Sequence, residues 1–228
     1  MTTEEKYRHI LSNHLPASAV DWVYGYLNLH KVHFHITRGR RTKLGDYRRP
    51  FDSSPQPGAL ATGGGSHPFH EISINGDLNP YFFLWVFLHE AAHLETHLKY
   101  VAPKQGKVRS LSPHGHEWQA EYARLLAAHA ALFPTEIQPL IARYIRRIPL
   151  SHPVAKQIEA ALQRYDVDYD PDTLTLDNLR PGTRFYLKQK PQLRFEALEK
   201  RRTRWLCREI PSGRQYLVNG AAQVVMTE

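Results

Sequence analysis

The sequence predicts an α+β chain in two parts: a larger, mainly helical unit carrying a three-stranded sheet, then a small β-rich unit. Three observations carry that expectation. The stretch from Pro80 to Lys99 is apolar on almost every side as far as Leu88, the pattern of a helix buried in a core. Short upstream runs, KVHFHIT and EISIN, alternate apolar and polar residues as half-buried strands do. After Tyr165 come five more such runs, GTRFYL, QLRFEAL, RTRWLCRE, RQYLV and AQVVM, separated by Pro191, Pro211-Ser212-Gly213 and Asn219-Gly220. Short strands spaced that closely predict a small barrel or curled sheet.

Taken in order, the first thirty residues read as helical, with Val20, Val23, Tyr24 and Leu27 recurring at helical spacing after Pro16 and Ser18. Val32, Phe34 and Ile36 then alternate with His33 and His35 in a first strand. KLGDYRRP reads as its return strand after the basic turn RGRR. Residues 50–68 are rich in Pro, Gly and Ser and read as a surface loop that could cover a cleft. Ile72 and Ile74 mark a third strand. Asn79-Pro80 is a helix start, an N-cap followed by proline at the first helical position. Ser112-Pro113 is read as opening the next helix, with Trp118, Tyr122, Leu125 and Leu126 on one face; further helix is expected over 139–147 and 152–165. The expected division is 1–165 for the helical unit, 166–178 for an acidic linker, and 179–228 for the basic β-rich unit.

Composition excludes several classes. With 228 residues, 42% of them hydrophobic, the chain can bury a core. Its longest apolar run, Tyr81 to Leu88, falls far short of the roughly 20 residues of a membrane span, and no secretory signal is visible, so no membrane partner is expected. A single cysteine, Cys207, rules out an internal disulfide and any all-cysteine metal site. A soluble protein of the reducing cytoplasm, nucleoid-associated if it meets DNA, is the expectation. The net charge of +8 is clustered. Lys31, Arg38, Arg40, Arg41, Lys43, Arg48 and Arg49 face only Asp46 in the first block, and residues 180–214 hold eleven bases against three acids. Such blocks attract polyanions. In the second, Arg201, Arg202 and Arg204 interleave with Tyr186, Phe195 and Trp205, as in small β-folds that hold single-stranded nucleic acid; those aromatics could equally form the unit's core.

The chemistry is concentrated in His89-Glu90-Ala91-Ala92-His93. Residues four apart on a helix project about 40° apart, so His89 and His93 can reach one zinc ion from successive turns. Glu90, about 100° away, is placed instead to take the proton of an attacking water. A catalytic zinc needs a third protein ligand and an open position. The extended HExxHxxGxxH pattern is excluded by Thr96 and Lys99. His97 is one turn past His93, but three ligands along one straight helix cannot converge. His114, four residues before Trp118, is the better candidate by spacing, with His116, Glu117 and Glu121 as rivals.

HEAAH followed some twenty residues on by His114-Gly115-x-Glu117-Trp118 resembles the SprT-like (SprT/Spartan) metalloprotease domain. Lys43-Leu44-Gly45-Asp46-Tyr47 and HEISIN resemble that family's hairpin and third strand, so the likeness covers about residues 15–150. It implies a zincin-like fold with one catalytic Zn2+ per chain on His89, His93 and His114 and Glu90 as the catalytic residue. It also implies proteolysis of DNA-associated or DNA-crosslinked proteins. Many members end in a zinc ribbon with two cysteine pairs, whereas this chain offers only Cys207, so its tail reads as barrel-like or as a ribbon without its metal. Two other functions stand beside it: a non-catalytic nucleic-acid or transcription-associated binding protein with a zinc scaffold, and a zinc hydrolase of small amides. Lesser signals are read as structural: His33 and His35 on a polar strand face, Asp166, Asp168, Asp170 and Asp177 in a solvated segment rather than a calcium loop, and Cys207 in the core.

Overall fold

A computed structural model describes residues 1–40, 42–50, 69–102, 111–148, 153–169, 174–202 and 204–227. The chain is mixed α+β and divides into two compact units, Met1–Val167 and Asp168–Glu228. The first holds helices α1 (Thr3–Ser12), α2 (Ala17–Leu29), α3 (Pro80–Thr96), α4 (His116–His129), α5 (Gln138–Tyr144) and α6 (Pro153–Leu162), with strands β1 (His33–Thr37), β2 (Gly45–Arg48) and β3 (Glu71–Asn75).

Helix α3 is the axis of this unit. Asn79 caps it by accepting the Phe82 N–H at 3.0 Å, and Pro80 sits in the first turn, where a missing N–H costs nothing. The Asn79 amide also donates to the Leu162 carbonyl at 2.9 Å, tying the start of α3 to the end of α6. Every residue from Phe82 to Leu88 is buried. Phe87 packs edge-on against Trp22, Tyr26 and Phe34, while Trp85 on the opposite side meets Tyr122 and Tyr144. Aromatic rings on two sides of the helix explain why its sequence shows no polar stripe. A π-helical turn, His97–Val101, continues it.

The three-stranded sheet has the order β1-β3-β2. β3 lies in the middle, parallel to β1 and antiparallel to β2. KLGDYRRP therefore does not return along β1 as a hairpin partner; β3, with Ile72 and Ile74 fully buried, takes the central place that its apolar content favours. The Arg40 guanidinium locks this order, donating to Asn75 Oδ1 at 2.8 Å, Ser73 Oγ at 3.1 Å and the Ser73 carbonyl at 3.2 Å. Ser112-Pro113 does not open α4 either. It forms a turn closed by the Gly115 N–H on the Ser112 carbonyl at 3.0 Å, and the helix starts at His116.

The second unit is an open antiparallel sheet, β7-β6-β5-β4-β8, built from β4 (Arg184–Leu187), β5 (Lys190–Lys200), β6 (Arg204–Glu209), β7 (Gln215–Asn219) and β8 (Val224–Met226). It does not close into a barrel: β7 pairs with β6 and the three-residue β8 with β4, leaving the two as opposite edges. Phe185, Phe195, Trp205 and Cys207 form its core with Leu176 and Leu179. Leu176 belongs to the segment that charge marks as linker and Leu179 follows directly after it; in the same segment Asp177 accepts the Trp205 indole N–H at 2.8 Å. No helix among the described residues is long and apolar enough to cross a membrane.

Phe87→Ala removes a ring packed on three sides. It should lower the unfolding free energy of the first unit by about 3–5 kcal/mol, read as an earlier urea midpoint in Trp22 and Trp85 fluorescence.

Candidate metal centre

The three histidines come from two elements. His89 and His93 stand one turn apart on α3, part-exposed, while Glu90, Ala91 and Ala92 between them are buried. His114 reaches them from the turn before α4 and not from a helical face. Its backbone is fixed by the Gln119 side-chain amide, which donates to the His114 carbonyl at 3.0 Å. Trp118 forms the floor, its ring centroid 4.8 Å from His89, 5.4 Å from His93 and 4.7 Å from His114. Spacing along the chain singles out His114 as a helix-face residue, whereas the structure brings it to the other two histidines from a turn.

Each histidine offers one ring nitrogen, and the three nitrogens lie within 4.8 Å of one another. His89 Nε2 and His114 Nε2 are 3.2 Å apart. Two ligands of a tetrahedral ion with bonds of about 2.0–2.1 Å are separated by about 3.3 Å. Burial lowers His89 to about 3, aided by His93 and His114, and lowers His93 to about 4. His114 is lowered by burial as well. All three are therefore neutral imidazoles at physiological pH, with lone pairs free for a cation. The residues present fit a metal ion, and they form the one such group among the described residues.

The rivals for the third ligand are accounted for elsewhere. His116 is exposed. Glu121, 2% exposed, is held by Lys99 at 2.7 Å and Arg124 at 2.9 Å. Glu117 stays outside the cluster. His97 faces the Tyr47–His70 pair instead, its ring 5.4 Å from that of His70. His33 and His35 meet edge to face at 4.3 Å between ring centroids, and among the described residues no third ligand joins them. Asp166 accepts from Asn79 and Asp177 from Trp205 and Lys200; Asp170 lies outside the described residues.

Glu90 is 6% exposed and points toward β2. Burial raises its carboxyl to about 8, with Asp46 adding to the rise, while Arg40, Lys43 and the Tyr47 backbone N–H oppose it. A positive ion in the three-histidine site would pull it back down. Two nearby features were not legible in the sequence. Gly45 lets β2 lie directly on α3: a Cβ there would collide with Glu90 Oε1 and come within 2.7 Å of Val86 Cγ1. Tyr47 stands parallel to the His93 ring at 6.3 Å, and its hydroxyl bonds His70 Nδ1 at 2.9 Å. The KLGDY segment marks a strand in the sequence, but a glycine and a tyrosine two apart within it announce neither contact.

The basic residues divide. Arg40 is the clamp described above, and Lys43 and Arg48 both bind Asp46, at 2.8 and 3.1 Å. Arg38 and Arg49 are exposed, as are Arg201, Arg202 and Arg204 of the second unit. Arg41 lies outside the described residues, as do residues 51–68 of the loop read as a cleft cover. Of the interleaved aromatics, Phe195 and Trp205 are core residues at 4% and 3% exposure. Tyr186 stays part-exposed, with Arg194 stacked 4.8 Å from its ring.

Gly45→Ala should displace Glu90 or β2 and destabilise the first unit by about 1–3 kcal/mol. The metal content of the purified variant should stay at the wild-type level, since no histidine moves; elemental analysis beside a thermal melt reads both.

No protein-family model matches the chain, and comparison with curated proteins and with solved structures likewise gives no match.

Proposed function

We propose that the chain is a zinc-dependent endopeptidase of the SprT-like kind, acting on proteins associated with or crosslinked to DNA. The observation that carries the reading is a buried carboxylate, Glu90, on the same helix as two of three neutral histidines gathered on one point. Zinc is the ion that an all-histidine, redox-silent set of three with an open position suits best. His89, His93 and His114 would hold it, and bound there it would supply Lewis acidity toward a carbonyl and a more acidic water. Glu90 accepts the proton of the attacking water and returns it to the departing amine. Trp118 and the aromatic packing behind it keep the imidazoles in place.

The edge strand supports a peptide substrate. β2 pairs with β3 along one side and lies on α3 beside Glu90 along its length. Among the described residues no strand pairs with its other edge, where an extended chain can add. A protein that used its metal only as scaffold would have no need of a buried base at this point, and for that reason the binding-protein reading takes second place.

Elemental analysis should find about one zinc per chain in the wild type and much less in His114→Ala. Glu90→Gln should keep the zinc and lower hydrolysis of an unfolded protein by a factor on the order of 10² to 10⁴. Full activity in Glu90→Gln sinks the assignment. For the DNA part of the reading, Arg201→Ala, Arg202→Ala and Arg204→Ala combined should weaken single-strand binding. The slope of log affinity against log salt should fall by about 0.7 for each phosphate that is no longer neutralised; an unchanged slope removes the second unit from the DNA surface.

A further inference from the structure

Beside the metal centre the first unit holds a cavity of about 290 Å³, lined by His89 and Glu90 at one end and by Glu159 of α6 at another. Trp85 and Val86 give it apolar walls. Tyr122 and Tyr144 also line it, 1% and 0% exposed, and neither buried hydroxyl has a hydrogen-bond partner among the described residues. Buried hydroxyls without partners are rare because each loses its water without compensation. Glu90 and Glu159 line the same cavity as the two phenols. The cation on the lining, Lys43, is bound to Asp46 at 2.8 Å. What remains is an electron-rich enclosure: two carboxyl groups, two phenol oxygens and the faces of aromatic rings.

We propose that this cavity receives an organic cation of the substrate, an alkylammonium or guanidinium group carried on an apolar stem; the proposal rests on the peptidase reading above. An ammonium has three N–H donors and no acceptor, matching the oxygens of Tyr122, Tyr144 and Glu159. Its stem lies along Trp85 and Val86, and the aromatic faces favour positive charge. A purely apolar group would leave both hydroxyls unpaired, and an anion would face Glu90 and Glu159. Because Glu90 and His89 line the same space, the cation belongs to a residue next to the bond that is cut. In internal cleavage it is a Lys or Arg side chain; the substrate's amino terminus would take the place only if the bond cut is the first of the chain, which would make the activity that of an aminopeptidase.

Calorimetric titration of the zinc-loaded full chain with three small probes tests the site without turnover. N-acetyl-lysine amide should bind up to about fivefold more tightly than N-acetyl-norleucine amide, the scale of a partly exposed ion pair. Glu159→Gln, a change at an exposed rim position, should abolish that preference, and Tyr144→Phe should reduce it. Norleucine amide with a free α-amine identifies the source: tighter binding than its acetylated form assigns the cation to the amino terminus, and equal binding assigns it to the side chain. Peptides differing only in Lys against norleucine should show the same preference in kcat/KM. Equal binding of the lysine and acetyl-norleucine probes by the wild type, with no gain from a free α-amine, overturns the site, as does a preference untouched by Glu159→Gln. Probe discrimination in a protein that cuts no peptide would instead leave the cation site standing and remove the peptidase reading.

Discussion

A helix that runs through a hydrophobic core can be apolar on every side, but α3 carries two imidazoles and a carboxyl group part-way along its length. Glu90 is buried and the two histidines are partly so. Each such group would be costly if left unpaired, and much of the first unit is arranged around that constraint. The turn at Ser112–Gly115 brings His114 against His89, Trp118 closes the space beneath all three rings, and β2 lies directly on Glu90 at Gly45. His89 Nε2 and His114 Nε2 lie 3.2 Å apart, and burial raises the Glu90 carboxyl. A positive charge at the three nitrogens changes both states together, because the field that binds the lone pairs also favours the ionised carboxylate. Ligand set and base thus form one electrostatic unit.

The approach of β2 to α3 is the second dependence. A strand can rest on a helix at the level of a buried carboxylate only where its residue there has no side chain, and Gly45 is that residue. Arg40 then holds the connection before β2 to β3 through Ser73 and Asn75, so the sheet order and the position of Glu90 are coupled through one guanidinium. Glu121 does the equivalent between helices, joining Lys99 beyond the end of α3 to Arg124 on α4.

Local chemistry was legible in the sequence where it follows helical spacing. HEAAH on an apolar run sets His89 and His93 on one line with Glu90 turned aside, because the period of a helix alone fixes their directions. His114 was legible as a residue but not as a geometry, since a turn closed by Ser112 and Gly115 leaves no periodic trace. Sheet order was hidden for a related reason. Alternation marks β1, β2 and β3 as strands but does not say which lies in the middle, and the deciding hydrogen bonds of Arg40 span more than thirty residues. The cavity oxygens of Tyr122, Tyr144 and Glu159 come from three helices whose sequences look like ordinary amphipathic surface and core.

Charge counting shows the same limit from the other side. The first basic block looks like a polyanion surface in sequence, yet Arg40, Lys43 and Arg48 spend their charge on Asn75, Ser73 and Asp46. A guanidinium with its donors already directed at the protein has little left for a phosphate. The second block differs. Arg201, Arg202 and Arg204 lie at and just after the turn between β5 and β6, exposed, with one long ion pair of 3.9 Å from Arg201 to Glu199 among them. Phe195 and Trp205 are turned inward, so stacking on bases has Tyr186 and Tyr216 to draw upon rather than the full aromatic set. The case for nucleic-acid binding is therefore mainly electrostatic and is carried by the second unit. Binding of that kind depends steeply on salt and weakly on sequence, which suits the proposed action on DNA-associated proteins, where the shared backbone and not any base order would direct the chain.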